Sequence, residues 1–421
     1  MSIILENKSI YSYDDLYIIP NVTTSISNYN EIDIYNKNGK LPIFTAPIDS
    51  IIDEQNFELF NETKLNIIIP DNLSINFRLN KMKEGHWVSL SITEFKKYIL
   101  NDNLIIDDYI DSYKILINSY IGNSDEFINI AAKAKEKYKN KLKLMMGKVS
   151  NPETYEVLSD IGIDYVRCSI GCEKLCGQDN VIINYPIGTL IEDVKKLKNK
   201  RLINNKFAAK IVVDGCIKHP KDIVKALALG ADYVMAGKIF SASIESAAHI
   251  CEGIDYIDRK LDENNYIINQ IINSNPNINL KHKIIVIGNY GKTNICNLKN
   301  EKLQKEIGLE IINIDKNKFD NTQYYYIIDT NKLNMSEDFK HRIINKYKFK
   351  KIYHCIQPCN IKNLLDNCII NKKDVIIDVE YTINDIILTI ENNLKYCMLR
   401  CDSRNLQEFI GNQTLIFNKN I

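Results

Sequence analysis

Short apolar runs punctuate the first 255 residues of the chain, separated mostly by segments of helix-like polarity. Eight runs read as buried strands: Leu41–Thr45, Leu65–Ile69, Trp87–Ile92, Lys114–Asn118, Lys143–Met146, Tyr165–Ser169, Lys210–Val213 and Tyr233–Ala236. Between them lie Ser124–Tyr138, Pro152–Ile161 and Pro220–Leu229. In the last of these, Ile223, Val224, Ala226 and Leu227 recur near helical spacing. Eight strands alternating with helices predict an α/β fold, a (β/α)8 TIM barrel, over residues 1–257. In such barrels, active sites form where strands end and loops begin.

The pattern changes after residue 256. Asp262-Glu-Asn-Asn265 and Asn273-Ser-Asn-Pro-Asn277 flank the apolar stretch Tyr266–Ile272, which reads as a connector with a short helix over residues 258–282. A second α/β pattern then occupies residues 283–421. Its expected strands are Lys283–Ile287, Glu310–Ile314, Tyr324–Ile328, Lys351–His354, Asp374–Val379 and Tyr396–Arg400. They suggest a smaller, open, mostly parallel sheet of Rossmann-like type. Two domains also suit 421 residues, too many for one ordinary core.

A net charge of +1 gives no global field toward nucleic acid or membrane. No apolar stretch reaches the length of a membrane span. The start, Met1-Ser-Ile-Ile-Leu-Glu6, lacks a basic segment followed by an apolar one, so a cytoplasmic protein is expected. The 11 cysteines are odd in number and include no Cys-x-x-Cys pair. That argues against a disulfide framework and a zinc site, and for a reducing compartment. No metal site is expected.

The candidate chemistry lies at strand ends. Ser169-Ile-Gly-Cys-Glu-Lys-Leu-Cys176 follows the sixth barrel strand. Val212-Val-Asp-Gly215 ends the seventh, and Ala231-Asp-Tyr-Val-Met-Ala-Gly237 carries the eighth. A barrel would bring these pieces to one rim. Cys176 offers a soft nucleophile, Asp214 a carboxylate for paired donors, and Gly215 and Gly237 close backbone approach to an anion. Each residue has a plainer reading: an idle buried thiol, a turn or capping aspartate, tight-turn glycines.

In the order of these motifs, residues 11–255 resemble the IMP dehydrogenase and GMP reductase family. Tyr13-Asp-Asp-Leu-Tyr-Ile-Ile-Pro20, Ala46-Pro-Ile-Asp-Ser50, Tyr185-Pro186 and the run Asp222–Gly237 carry the resemblance further. It implies that Cys176 adds to purine C2 and that Asp214 accepts hydrogen bonds from ribose hydroxyls. It implies substrate contacts at Asp49, Gly215 and Gly237, with Glu245 handling protons. An ordinary helix-start acid is the other reading of Glu245. Lys174 and Lys238 stand as candidate phosphate ligands, or as solvated surface groups. Asn118 and Gly171 occupy positions implied to hold the nicotinamide cofactor, NADPH or NAD.

There are departures. Lys174 replaces a phosphate-binding serine, Gln178 a proton-relaying threonine, and Asn118 an aspartate. Lys148 replaces an asparagine, and Cys216 a second glycine. No Arg-Tyr flap follows Glu245, and no tandem insert fits between Ile69 and Trp87. Those absences, with Tyr185-Pro186, tilt the resemblance toward the reductase branch, which converts GMP to IMP and ammonia. IMP dehydrogenase activity is the alternative, as is an inactive nucleotide-binding relative acting as sensor or scaffold. The resemblance also implies a homo-oligomer.

The second half opens on Ile284-Ile-Val-Ile-Gly288-Asn-Tyr-Gly291-Lys-Thr293. With Asp315 after the next strand, it reads as a dinucleotide turn in which Gly288 and Gly291 meet a pyrophosphate and Asp315 a ribose. It also looks like the shortened P-loop of Mur-type ligases. A structural turn without a ligand is the third reading, since a full Gly-x-Gly-x-x-Gly is absent.

Overall fold

The computed structural model describes residues 10–101, 112–119, 122–169, 185–243, 245–247 and 381–417, together with the backbone of five further strands between 283 and 377. A short strand, β1 (Leu16–Ile18), precedes the barrel. The barrel strands are β2 (Ile43–Thr45), β3 (Ile68–Ile69), β4 (Trp87–Ser91), β5 (Tyr113–Asn118), β6 (Leu142–Val149), β7 (Tyr165–Cys168), β8 (Lys210–Asp214) and β9 (Tyr233–Ala236). All are parallel, in the spatial order β2-β9-β8-β7-β6-β5-β4-β3. Every strand expected in the first half is present, within a few residues at its ends.

The ring closes between β2 and the residues just before β3. Leu41 N donates to Lys64 O, Asn66 N to Ile43 O, and Thr45 N to Asn66 O. The Asn66 amide donates to the carbonyls of Leu41 (2.7 Å) and Ile43 (3.0 Å). These bonds satisfy the backbone that an open sheet would leave bare.

Helices follow the strands with readable start and stop signals. α1 (Phe57–Asn61) follows β2, α2 (Ile75–Lys83) follows β3, and α3 (Ile92–Phe95) follows β4. α4 (Asp125–Tyr138) starts at Ser124, whose hydroxyl accepts from Phe127 N. α5 (Pro152–Asp160) starts at Asn151 with proline in its first turn. α6 (Ile187–Ile203) follows β7, and α7 (Pro220–Leu229) follows β8. α7 stops at Gly230, whose φ of 125° few side chains tolerate. A four-residue α8 (Lys238–Ser241) follows β9.

The barrel interior is filled at its lower end by aromatic rings. Tyr165 meets Trp87 at 5.1 Å, Tyr233 at 5.6 Å and Phe44 at 5.9 Å between centroids. Phe44, Trp87 and Tyr165 come from strands that are not neighbours in the ring, so their side chains point to the axis. Strand side chains alternate, so Arg167, Asp214, Met235 and Gly237 point inward too.

The second half departs from expectation in two ways. β10 (Lys283–Asn289), β11 (Leu309–Ile311) and β12 (Gln323–Asp329) pair antiparallel in the order β10-β12-β11. β13 (Ile352–His354) and β14 (Val375–Ile377) form an antiparallel pair. These ladders are not the parallel ones that a Rossmann-like sheet requires. In addition, Tyr396–Arg400 is the end of a helix, not a strand: α9 (Ile383–Arg400). Thr382 and Asp385 form its capping box. Its buried Ile383, Ile386, Ile387, Ile390, Leu394 and Met398 keep helical spacing.

α9 packs beside α7 and joins the barrel core. α10 (Leu406–Phe409) and β15 (Leu415–Phe417) follow, and β15 pairs antiparallel with β1. Asn21 N donates to Arg400 O, Asp33 N to Arg404 O, and Gly411 N to Leu227 O. The domain expected over 283–421 therefore overreaches: residues 381–417 complete the barrel. Ser243 and Tyr381 form a parallel bridge, and the Tyr381 hydroxyl donates to Ile239 O at 2.9 Å. Residues 244–380 thus lie in sequence between the last barrel strand and its closing helix. The connector at 258–282 lies outside the described residues.

Trp87 is the single tryptophan of the chain and sits in the barrel interior, so its fluorescence reports barrel unfolding. Leu394→Ala should lower barrel stability by about 2–5 kcal/mol, because Leu394 is fully buried. A denaturant titration followed at Trp87 measures it. An unchanged midpoint would mean that α9 is no part of the barrel.

Candidate functional site

The inward residues at the C-terminal strand ends form the mouth. Asp214 ends β8, and its Oδ2 accepts from Arg167 Nη2 at 2.5 Å. Arg167, on neighbouring β7, is only 4% exposed. Its Nε and Nη1 are buried with no hydrogen-bond partner. Leaving such a donor unmet costs about 1–3 kcal/mol, and more for a charged group. Gly147, paired with Arg167 across β6 and β7, makes this packing possible. A Cβ there would lie 2.3 Å from Arg167 O and 2.7 Å from Arg167 Cβ.

Arg167 was not among the residues singled out from the sequence. The signal was available: in Tyr165-Val-Arg-Cys168, alternation puts the arginine on the same face as an axial tyrosine. Asp71 was missed too. It follows β3, and its Oδ2 accepts from Asn118 Nδ2 at 3.1 Å, so Asn118 at the end of β5 belongs to a polar pair.

Gly215 has φ of 105° and Cys216 of 58°, so the chain turns sharply out of the mouth after Asp214. Gly237 follows β9 with ordinary negative φ. Close packing explains the glycine: an added Cβ would stand 3.0 Å from Ile48 Cδ1. Lys238 opens α8 and is half-buried, and Asp49, in the loop after β2, is half-buried as well. Together, Asp49, Asn118, Asp214, Gly215, Gly237 and Lys238 all lie at or just beyond C-terminal strand ends. Cys176, Lys174, Gly171, Gln178, Gly291 and Asp315 lie outside the described residues. Of the second half's candidates, Gly288 falls within β10 rather than in the turn expected after it.

Glu245 is buried, and its Oε2 accepts from Ile383 N at 2.9 Å. It therefore receives an N–H at the start of a helix 138 residues downstream. Glu245 itself lies in a turn and not at the head of a helix of its own, so the contact is not the one that the helix-start reading expected.

Cysteines divide by environment. Cys168 faces away from the axis, and burial, with help from Asp232, pushes its thiol up to about 12. A thiol held neutral is a poor nucleophile. Among the described residues Cys168, Cys397 and Cys401 are free, whereas Cys216 is disulfide-bonded. That disulfide was not expected from the cysteine count. Among the described residues there is no cluster of metal-binding side chains, and no helix is long and apolar enough to cross a membrane.

Fold and mouth together define a class, a closed (β/α)8 barrel with its polar groups gathered where barrels carry ligand sites. The IMP dehydrogenase / GMP reductase domain model matches residues 10–256. The chain belongs to that family. It is 27% identical over 252 residues to the GMP reductase of Staphylococcus saprophyticus, an alignment covering 58% of this chain and 74% of that one. It is 28% identical to the Helicobacter pylori GMP reductase, covering 59% and 76%. It is 32% identical over 168 residues to the inosine-5'-monophosphate dehydrogenase of Borreliella burgdorferi, covering 40% and 38%.

Asp214→Ala would leave Arg167 as an unpaired buried charge. The expected loss is about 3–5 kcal/mol in denaturant unfolding followed at Trp87. A loss below about 1 kcal/mol would show that the pair behaves like a solvated surface bridge.

Proposed function

We propose that the protein is a purine nucleotide oxidoreductase of the GMP reductase type, converting GMP to IMP and ammonia. Family membership carries this reading, and the similarity to GMP reductases over most of their length favours that branch. Cys176 sulfur bonds to purine C2 as the 2-amino group departs with a proton as ammonia, and the thiolate leaves C2 when hydride takes its place. Asp214 accepts from the ribose hydroxyls. The backbone at Gly215 and Gly237, with Lys174 and Lys238, holds the phosphate.

The nicotinamide cofactor, NADPH or NAD, supplies the hydride when bound. The Asp71–Asn118 pair at the rim offers a carboxylate acceptor beside an amide, a donor set that suits a carboxamide. The residues present fit the group there.

A second reading is an inactive relative that binds a purine nucleotide as a sensor or scaffold. The engagement of Glu245 at the start of α9 favours it, together with Gln178 in place of the relay threonine.

The reaction is checked by following dinucleotide absorbance with GMP and NADPH, and with IMP and NAD, using Cys176→Ala as control. Oxidation of NADPH with GMP that Cys176→Ala abolishes, by at least about 1000-fold, supports the reductase. Reduction of NAD with IMP selects the dehydrogenase. Nucleotide binding with no turnover in either direction selects the sensor. Absence of both binding and turnover overturns the purine reading.

A further inference from the structure

Cys397 and Cys401 form a thiol pair that the proposed reaction leaves unused. They stand four residues apart at the C-terminal end of α9, so their side chains share one helix face. Both are free. Cys401 is the cap of the helix and only 4% exposed, whereas Cys397, one turn back, is partly open to solvent. Cys397 donates a hydrogen bond to the Cys401 sulfur, which raises the Cys397 thiol and lowers that of Cys401. The pair sits where α9 grips the N-terminal segment. Cys401 Sγ donates to Ile19 O at 3.9 Å, Asn21 N to Arg400 O at 2.9 Å, and Asn21 Nδ2 to Cys401 O at 3.1 Å.

We infer that Cys397 and Cys401 are a redox-sensitive latch: a small disulfide oxidises them to an intrahelical disulfide, which loosens residues 19–21 from α9. The Cys397 thiolate, the more accessible of the two, attacks one sulfur of the small disulfide and expels a thiolate. The Cys401 thiolate then attacks Cys397 Sγ and expels the second. The pair gives up two protons and two electrons, and the small disulfide is reduced to two thiols. Two consequences reach the N-terminal segment. A sulfur in a disulfide carries no proton, so the bond to Ile19 O is lost. In addition, a helix holds Cβ atoms four residues apart at about 5–6 Å, whereas a disulfide needs about 3.5–4.5 Å. The last turn has to draw in at Cys401, and the Arg400 and Cys401 carbonyls that hold Asn21 move with it. A bond formed at that cost is readily reduced again, which makes the latch reversible.

The test treats the full chain with glutathione disulfide, blocks the remaining thiols by alkylation and digests with trypsin. Cleavage after Arg400 separates the two cysteines, so their bond shows in mass spectrometry as peptides 396–400 and 401–404 held together. Hydrogen exchange at the Asn21 amide reads the latch on the same samples. The wild type should yield the linked peptides, and its Asn21 amide should exchange at least about tenfold faster than in the reduced protein. Dithiothreitol should reverse both. Cys397→Ser, with Trp87 fluorescence verifying its fold, should show neither change under the same treatment.

If no linked peptides form, or Cys397 is caught only as a stable glutathione adduct, the inference falls. If the peptides are linked and the Asn21 amide exchanges as before, the bond is no latch and the inference falls too. Acceleration of equal size in Cys397→Ser would assign the effect to other cysteines and overturn it. Should Cys397→Ser fail to fold, the oxidised wild type is followed through reduction instead. Fast exchange at Asn21 that persists after the linked peptides have vanished overturns the inference there.

Discussion

Four aromatic rings meeting on the barrel axis set the orientation of everything above them. Phe44, Trp87, Tyr165 and Tyr233 come from four strands spread around the ring, and their contacts hold only if all four point inward. Strand side chains alternate strictly, so this layer determines which residues face the mouth two positions later. A slip of one residue in β7 or β8 would turn Arg167 or Asp214 toward the helices. The polar mouth is thus a consequence of the apolar floor.

The barrel depends equally on residues remote in sequence. α9 carries six buried apolar side chains and lies beside α7 in the same core as the strands. Glu245, just after the last barrel strand, receives the first N–H of α9. A buried carboxylate accepting a helix N–H suits the local dipole as well as the hydrogen bond. The Ser243–Tyr381 bridge lies beside it.

The eight barrel strands were legible because each is a compact apolar run between turn signals. α9 was legible in principle. Thr382 with Asp385, followed by isoleucines at helical spacing, is a helix-start pattern, but the pattern of strands before it suggested one more strand. Pairing direction in β10–β14 was not legible, since an apolar run has the same appearance in parallel and antiparallel ladders. Asp214 could be placed at a strand end from the sequence, but its partner could not: Arg167 lies 47 positions away, and only the β7–β8 register brings the two together. Glu245 shows the same limit, because the helix it meets begins 138 residues downstream.

The central question is whether a nucleotide occupies the mouth with its ribose against Asp214. A crystal structure of the full chain grown with IMP is the most direct measurement. The account predicts density for the nucleotide at the C-terminal ends of β7–β9, with the ribose within hydrogen-bond distance of Asp214. Nucleotide density elsewhere on the molecule, or a mouth in which Asp214 touches only protein, would contradict it.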